Sequence, residues 1–178
     1  MKKLMITAMI ALAFSIAPAL QAQEFKVDKS PMDQAAFPTS YKEANKDIKV
    51  TYSRPQLKGR NIADLAPEGK VWRLGANEAA EVTLYKDMKL GTSTVKAGTY
   101  TMYAMPEGNN WTIILSTDLN VWGSYFYKKE NDVARISVPV TSSETAVEYF
   151  GMEFTAVDKG AHLHMAWGNS RVEVPFYN

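Results

Sequence analysis

From Ile48 onward the apolar residues recur with a period of two, and this constrains the fold more than any other feature of the chain. Trp111, Ile113 and Leu115 alternate with Thr112, Ile114 and Ser116, between the turn-forming stretches Pro106 to Asn110 and Asp118 to Asn120. Side chains of a strand alternate between two faces, so such a run makes a strand with one face inward. The β-branched and aromatic run Thr99 to Met105 precedes it and is expected to pair with it as a hairpin. Similar runs lie at 48–52, 70–74, 80–85, 122–127, 133–140, 146–157, 161–167 and 171–176. No apolar period of 3.6 is sustained, and no unit recurs at a fixed spacing. The pattern predicts an all-β protein, a single antiparallel β-sandwich of jelly-roll type over residues 48–178, with closure into a barrel as the alternative.

The first 22 residues have a different character. Met1, Lys2 and Lys3 precede an apolar stretch from Leu4 to Ala17 and then small residues, the layout of a secretory signal peptide cut after Ala19 or, as preferred, Ala22. The apolar stretch is shorter than the roughly 18 residues of a membrane span, so no membrane insertion is expected after cleavage, and the protein is expected to be periplasmic or secreted. Residues 23–47 are polar but carry Phe25, Met32, Phe37 and Tyr41, which predicts an N-terminal arm packed on the body. Ser30, Pro31 and Asp33 read as the start of a short helical turn there.

The chain carries 20 Lys and Arg against 19 Asp and Glu, so it lacks the basic footprint that binding to nucleic acid requires. It has no cysteine, which closes disulfides, thiolate nucleophiles and thiolate zinc sites. Neither histidine lies in a recognisable triad context, and neither a GxSxG elbow nor a phosphate-binding glycine loop is present. No cofactor is expected.

Three groups of residues are candidates for chemistry. Arg54, Arg60 and Arg73, with Asn77 and Glu78 beyond Gly75, would together make a pocket for an anion or a polyol. The competing arrangement is an Arg73–Glu78 ion pair that orders a sheet edge. In that case Arg73→Ala would cost about 3 to 5 kcal/mol by leaving a buried acceptor unpaired. The second group is aromatic: Trp72, Trp122 and Tyr125 would wall such a pocket, although rings of this size more often fill a core. Third, His162 and His164 share one face of a strand, a weak metal-binding pattern that would need carboxylates such as Glu148 or Glu153, so no metal is assigned.

The phrases VTYSRPQLKGR, KVWRLGANEA, KAGTYTMYAMP, WTIILS, VWGSYFY and DVARISVPV occur in this order. Together they resemble the exported bacterial domain-of-unknown-function 2911 family, from about Lys29 to Phe176. The resemblance implies one exported β-rich domain and carries no activity onto any residue. The chain departs from the usual pattern of that family over 64–68 and at His162 and His164, where members tend to have aliphatic residues. The function expected is a non-enzymatic envelope module that binds a small polar or glycan-like ligand. The alternatives are a hydrolase of envelope carbohydrate using Glu78 as acid or base, and a purely structural partner surface.

Overall fold

The computed structural model describes residues 24–178, so the leader expected over 1–22 lies outside the described residues. The alternating runs form β1 (Met32–Phe37), β2 (Ile48–Ser53), β3 (Ala80–Leu84), β4 (Met88–Leu90), β5 (Ser93–Val95), β6 (Gly98–Glu107), β7 (Asn110–Ser116), β8 (Asp132–Val157) and β9 (Gly160–Tyr177). A single helical turn, α1 (Ile62–Leu65), follows β2. The strands make one antiparallel sheet in the order β1-β2-β3-β6-β7-β8-β9-β4-β5. The protein is therefore all-β, and one antiparallel sheet whose strands share a single core is compatible with the expected sandwich.

Every second residue of β2 and β3 is fully or nearly fully buried: Ile48, Val50 and Tyr52, then Ala80, Val82 and Leu84. They share one core with Phe150, Phe154, Leu163, Met165 and Trp167 of β8 and β9. At its centre Trp72 stacks flat on Trp167, with ring centroids 5.4 Å apart and an interplanar angle of 9°. Trp111 and Phe150 meet Trp72 edge-on at 5.6 Å and 5.3 Å. Offset and edge-on ring pairs of this kind each add about 0.5–1.5 kcal/mol beyond the area they bury. Three of the four tryptophans are committed to this cluster.

The last two strands give the sheet its shape. The first half of β8 pairs with β7, from Asn110↔Pro139 to Ser116↔Asp132. Its later part pairs with β9 in two registers, Val140↔Val172 to Ser142↔Ser170 and Gly151↔Ala166 to Val157↔Gly160. β9 itself doubles back at Gly168, whose φ of 52° lies in the left-handed region that a side chain disfavours. The fold-back brings the amide of Asn178 2.8 Å from the carbonyl of Lys159, to which it donates, and sets His164 against Glu173. β8 passes around the tip of this turn, where Asn169 Nδ2 donates to the carbonyl of Ser143 at 2.7 Å. Its second half then runs beside the segment after β2, through the bridge Gln56↔Tyr149.

Four local expectations are corrected. Ser30 to Asp33 does not start a helical turn: six register pairs to β2 place Met32–Phe37 in the sheet, so tertiary pairing outweighs capping propensity and the arm becomes an edge strand. In that arm Phe37 packs on the core, whereas Phe25, Met32 and Tyr41 are exposed. Residues 70–74 and 122–127 are not strands, and each contributes a single bridge, Trp72↔Ala104 and Glu78↔Trp122. The hairpin loop after β6 is the two residues Gly108 and Asn109, because Pro106 and Glu107 still pair with β7.

Candidate functional site

Residues 71–79 and 117–131 are two loops lying on the outer face of β6 and β7. Beneath them Ala79, Tyr103 and Ile114 form a second, small core, joined by Val71, Val121 and Tyr127. Polar bonds fix the longer loop along its length. The Tyr127 hydroxyl donates to Asp132 Oδ2 at 2.8 Å, Asn131 Nδ2 to Asp118 Oδ1 at 2.6 Å, and Ser124 Oγ to the carbonyl of Val71 at 2.7 Å. Arg135 Nε donates to the same Asp132 oxygen at 2.6 Å. Burial holds the Tyr103 phenol up at about 12, helped by the nearby Asp118, Tyr127 and Asp132, and burial and Asp132 raise Tyr127 as well. Neither phenol ionises near neutral pH; Tyr127 anchors the loop through its hydroxyl, whereas the buried Tyr103 hydroxyl has no partner among the described residues and its ring supports the loop by meeting Tyr127 edge-on at 5.3 Å.

With Val121 and Tyr127 turned inward, the three aromatic side chains between them are turned out. Trp122 is 53% exposed, Tyr125 76% and Phe126 71%. Trp122 and Tyr125 are thus not in the core, the commoner place for rings of this size, and are free to act as the walls the sequence suggests. The two loops are joined by backbone bonds from Gly123 to the carbonyl of Asn77, 3.0 Å, and from Ala79 to that of Val121, 3.0 Å. Gly123, at φ 67°, is the point of closest approach: a Cβ there would lie 2.7 Å from the Tyr125 ring and 3.5 Å from Arg73 Nη1. Ring and guanidinium therefore flank the same small residue.

Arg73 departs from the ion-pair arrangement. Its Nη1 donates weakly to the carbonyl of Asn77 at 3.4 Å, and among the described residues its buried Nε has no partner and no carboxylate lies within salt-bridge distance. Glu78 is exposed. The cost of 3 to 5 kcal/mol attached to Arg73→Ala thus loses its basis, because no buried acceptor would be orphaned. The intervening loop is held in uncommon backbone, with Leu74 at φ 51° and Asn77 at φ 58°. For a branched residue such as Leu74 this costs about 1 kcal/mol or more, sustained by its complete burial.

The remaining candidates disperse. Trp72 is 5% exposed and belongs to the core, so it walls no pocket. Arg54 reaches Asp33 at 3.4 Å and the carbonyl of Phe150 at 3.3 Å, and lies over the Tyr149 ring. Arg60 folds onto the carbonyls of Leu57 and Gln56 at 2.9 Å and 2.8 Å, bracing its own loop. Only Arg73, Asn77, Glu78, Trp122 and Tyr125 meet at the corner. A hollow of 130 Å³ adjoins it, lined by Glu78, Glu81, Ser53 and Asn120 among others, and the Asn120 amide donates to Glu81 at 2.8 Å.

His162 and His164 face outward on β9, as their spacing predicts. The carboxylate that meets them is neither Glu148 nor Glu153 but Glu173, 2.7 Å from His162 Nδ1 and 3.5 Å from His164 Nδ1. The other ring nitrogens meet hydroxyls, Tyr177 at 3.2 Å and Thr155 at 2.7 Å. Among the described residues no group of three or more His, Cys, Asp or Glu side chains is disposed to hold a metal ion. Glu173 is distant in sequence from both histidines, and only the fold-back of β9 brings it to them, so spacing alone could not find it.

No curated protein and no solved structure matches the chain. Residues 30–176 match the family described as Protein of unknown function (DUF2911), the same span over which β1 to β9 build the sheet. The chain belongs to this family.

Proposed function

We propose that the corner between loops 71–79 and 117–131 binds a small polar ligand of the glycan type, and that the protein works as a non-enzymatic module of the cell envelope. The observation that carries this reading is the exposure of Trp122 and Tyr125 beside an arginine that has no carboxylate partner among the described residues. An exposed indole offers a flat apolar face to a sugar ring, while the free donors of Arg73 and the Glu78 carboxylate suit hydroxyl or acidic substituents. Placement in the envelope rests on the leader expected over 1–22, and cell fractionation with N-terminal sequencing tests it: an N-terminus near residue 23 in the periplasmic or secreted fraction is expected, and uncleaved protein in the cytoplasm opposes it.

A hydrolytic reading has one observation in its favour, since Glu81 supplies a second carboxylate beside Glu78. The hollow they line holds only 130 Å³, well under the roughly 300 Å³ at which small-molecule sites begin, and Arg73 does not line it. Binding is therefore the better-supported reading. A glycan-array screen tests it. Binding by the parent that is lost in both Trp122→Ala and Arg73→Ala, with thermal midpoints unchanged, is the expected result. Turnover of a bound glycan that Glu78→Gln abolishes would shift the assignment to a hydrolase, and no binding to any glycan would overturn both.

A further inference from the structure

A second hollow, roomier than the one beside Glu78, lies on the outer face of β8 and β9 and encloses about 570 Å³. It exists because the fold-back of β9 sets four strand segments side by side, and because two small residues in register, Gly151 and Ala166, leave its floor low. Across one end runs a row of three charged or titratable side chains from adjacent segments: Glu173, His164 and, paired to His164, Glu153. Arg171 and Thr141, also paired, bound the other end.

The groups differ in what they have left to offer. Arg171 is occupied by the turn it stabilises, since Nη1 donates to the carbonyls of Gly168 and Ser170 at 3.0 Å and 2.9 Å, and Nη2 to that of Thr145 at 2.5 Å. Glu173 is shared between two imidazoles, and Glu153 has neither a hydrogen bond nor an ion pair to any described residue. The hollow is thus rich in carboxylate acceptors and poor in free donors. An anion would face two carboxylates, and a bare metal ion lacks a third ligand in place and would leave most of the volume unfilled. We infer that this hollow binds a small organic ammonium ion, its N–H donors on Glu153 and Glu173 and its aliphatic part over Ala166 and Pro139. Charge-assisted hydrogen bonds to a carboxylate are the stronger class, which is why Glu153 should dominate affinity.

The test is a titration of the protein with butylammonium chloride, sodium butyrate and butanol, followed through the imidazole proton resonances of His164. Saturable shifts with butylammonium alone are expected, weakened at least about tenfold in Glu153→Gln and unaffected in Trp122→Ala. Glu153 makes no contact that the fold depends on, so its variant keeps the experiment free of unfolding. Equal responses to the three probes, no saturation at about 10 mM, or tighter binding of zinc chloride than of the amine would each overturn the assignment.

Discussion

Gly160 opens β9 at the point where the strand's own end returns to meet it, and its replacement by alanine tests the fold-back directly. A Cβ added there would overlap the carbonyl oxygen of Phe176 and lie 2.9 Å from Cα of Tyr177. Both obstacles are backbone, so no side chain can swing aside, and relief requires the two halves of β9 to separate. Forced backbone shifts in packed regions cost typically about 1–3 kcal/mol, and the rigid obstacle argues for the upper end. Gly151 is the internal control. It sits on the neighbouring segment in the same layer, its nearest obstacle is the carbonyl of Tyr149 at 4.0 Å, and its φ is not left-handed. Alanine there should stabilise by about 0.4–1 kcal/mol, through lost freedom of the unfolded chain. At roughly 2–4 °C per kcal/mol for a chain of this size, Gly160→Ala should melt about 6–12 °C below the parent and Gly151→Ala slightly above it. Circular dichroism melts at equal concentration measure both. A Gly160→Ala midpoint within about 2 °C of the parent, or a Gly151→Ala midpoint below that of Gly160→Ala, would show that β9 does not double back as described.

Two further outcomes follow from the same contacts. Arg73→Ala should change stability by less than about 1 kcal/mol, since a partly exposed arginine with one long hydrogen bond has little to lose; a fall of 3 kcal/mol or more in urea denaturation would restore the structural ion pair. Tyr52 is held up at about 12, chiefly by burial and further by Asp33, so its contribution is complete below pH 10, the ordinary phenol value, and is lost as pH rises toward 12. Its hydroxyl accepts the Met152 amide at 2.9 Å, so Tyr52→Phe should cost about 1 kcal/mol at pH 7 while flattening the alkaline loss, which pH-dependent melts would reveal.

Much of the sheet was legible because period two is a local property of the chain. The runs that became β2, β3, β6 and β7 each carry their own inner face, and the Pro- and Gly-rich stretches between them mark the turns. What escaped is what depends on partners. β4 and β5 have three residues each, too few for a period to show, and exist through pairing with each other and with the end of β9. Met32–Phe37 follows Ser30 and Pro31, a capping residue and a proline, and reads as a helix start until β2 lies beside it. The fold-back of β9 is hidden for a similar reason: two strand-like runs separated by Gly168, Asn169 and Ser170 are equally consistent with a bend, a bulge or a hairpin.

The candidate sites divide along the same line. Residues 122–127 alternate in type as a strand would, which assigns Tyr125 and Tyr127 to one face and predicts that both are core or both are exposed. In a loop pinned at its two ends that coupling vanishes. Val121 and Tyr127 are drawn in by Tyr103, Ile114 and Asp132, Gly123 and Ser124 are bonded to the neighbouring loop, and the rings of Trp122, Tyr125 and Phe126 are left outside, so the exposure of Trp122 is a consequence of where its neighbours are anchored. The arginines fail as a group for a different reason. Residue type and proximity in sequence group the three, but Arg54 and Arg60 satisfy themselves on backbone carbonyls and on Asp33, whereas among the described residues Arg73 meets one weak acceptor. Which guanidinium remains available to a ligand is decided by which carbonyls the backbone leaves free, and these are set by loop conformation. An unsatisfied arginine beside exposed rings is thus information that only the assembled chain contains, and it puts the most informative substitutions at Arg73 and Trp122, away from the equally charged positions Arg54 and Arg60.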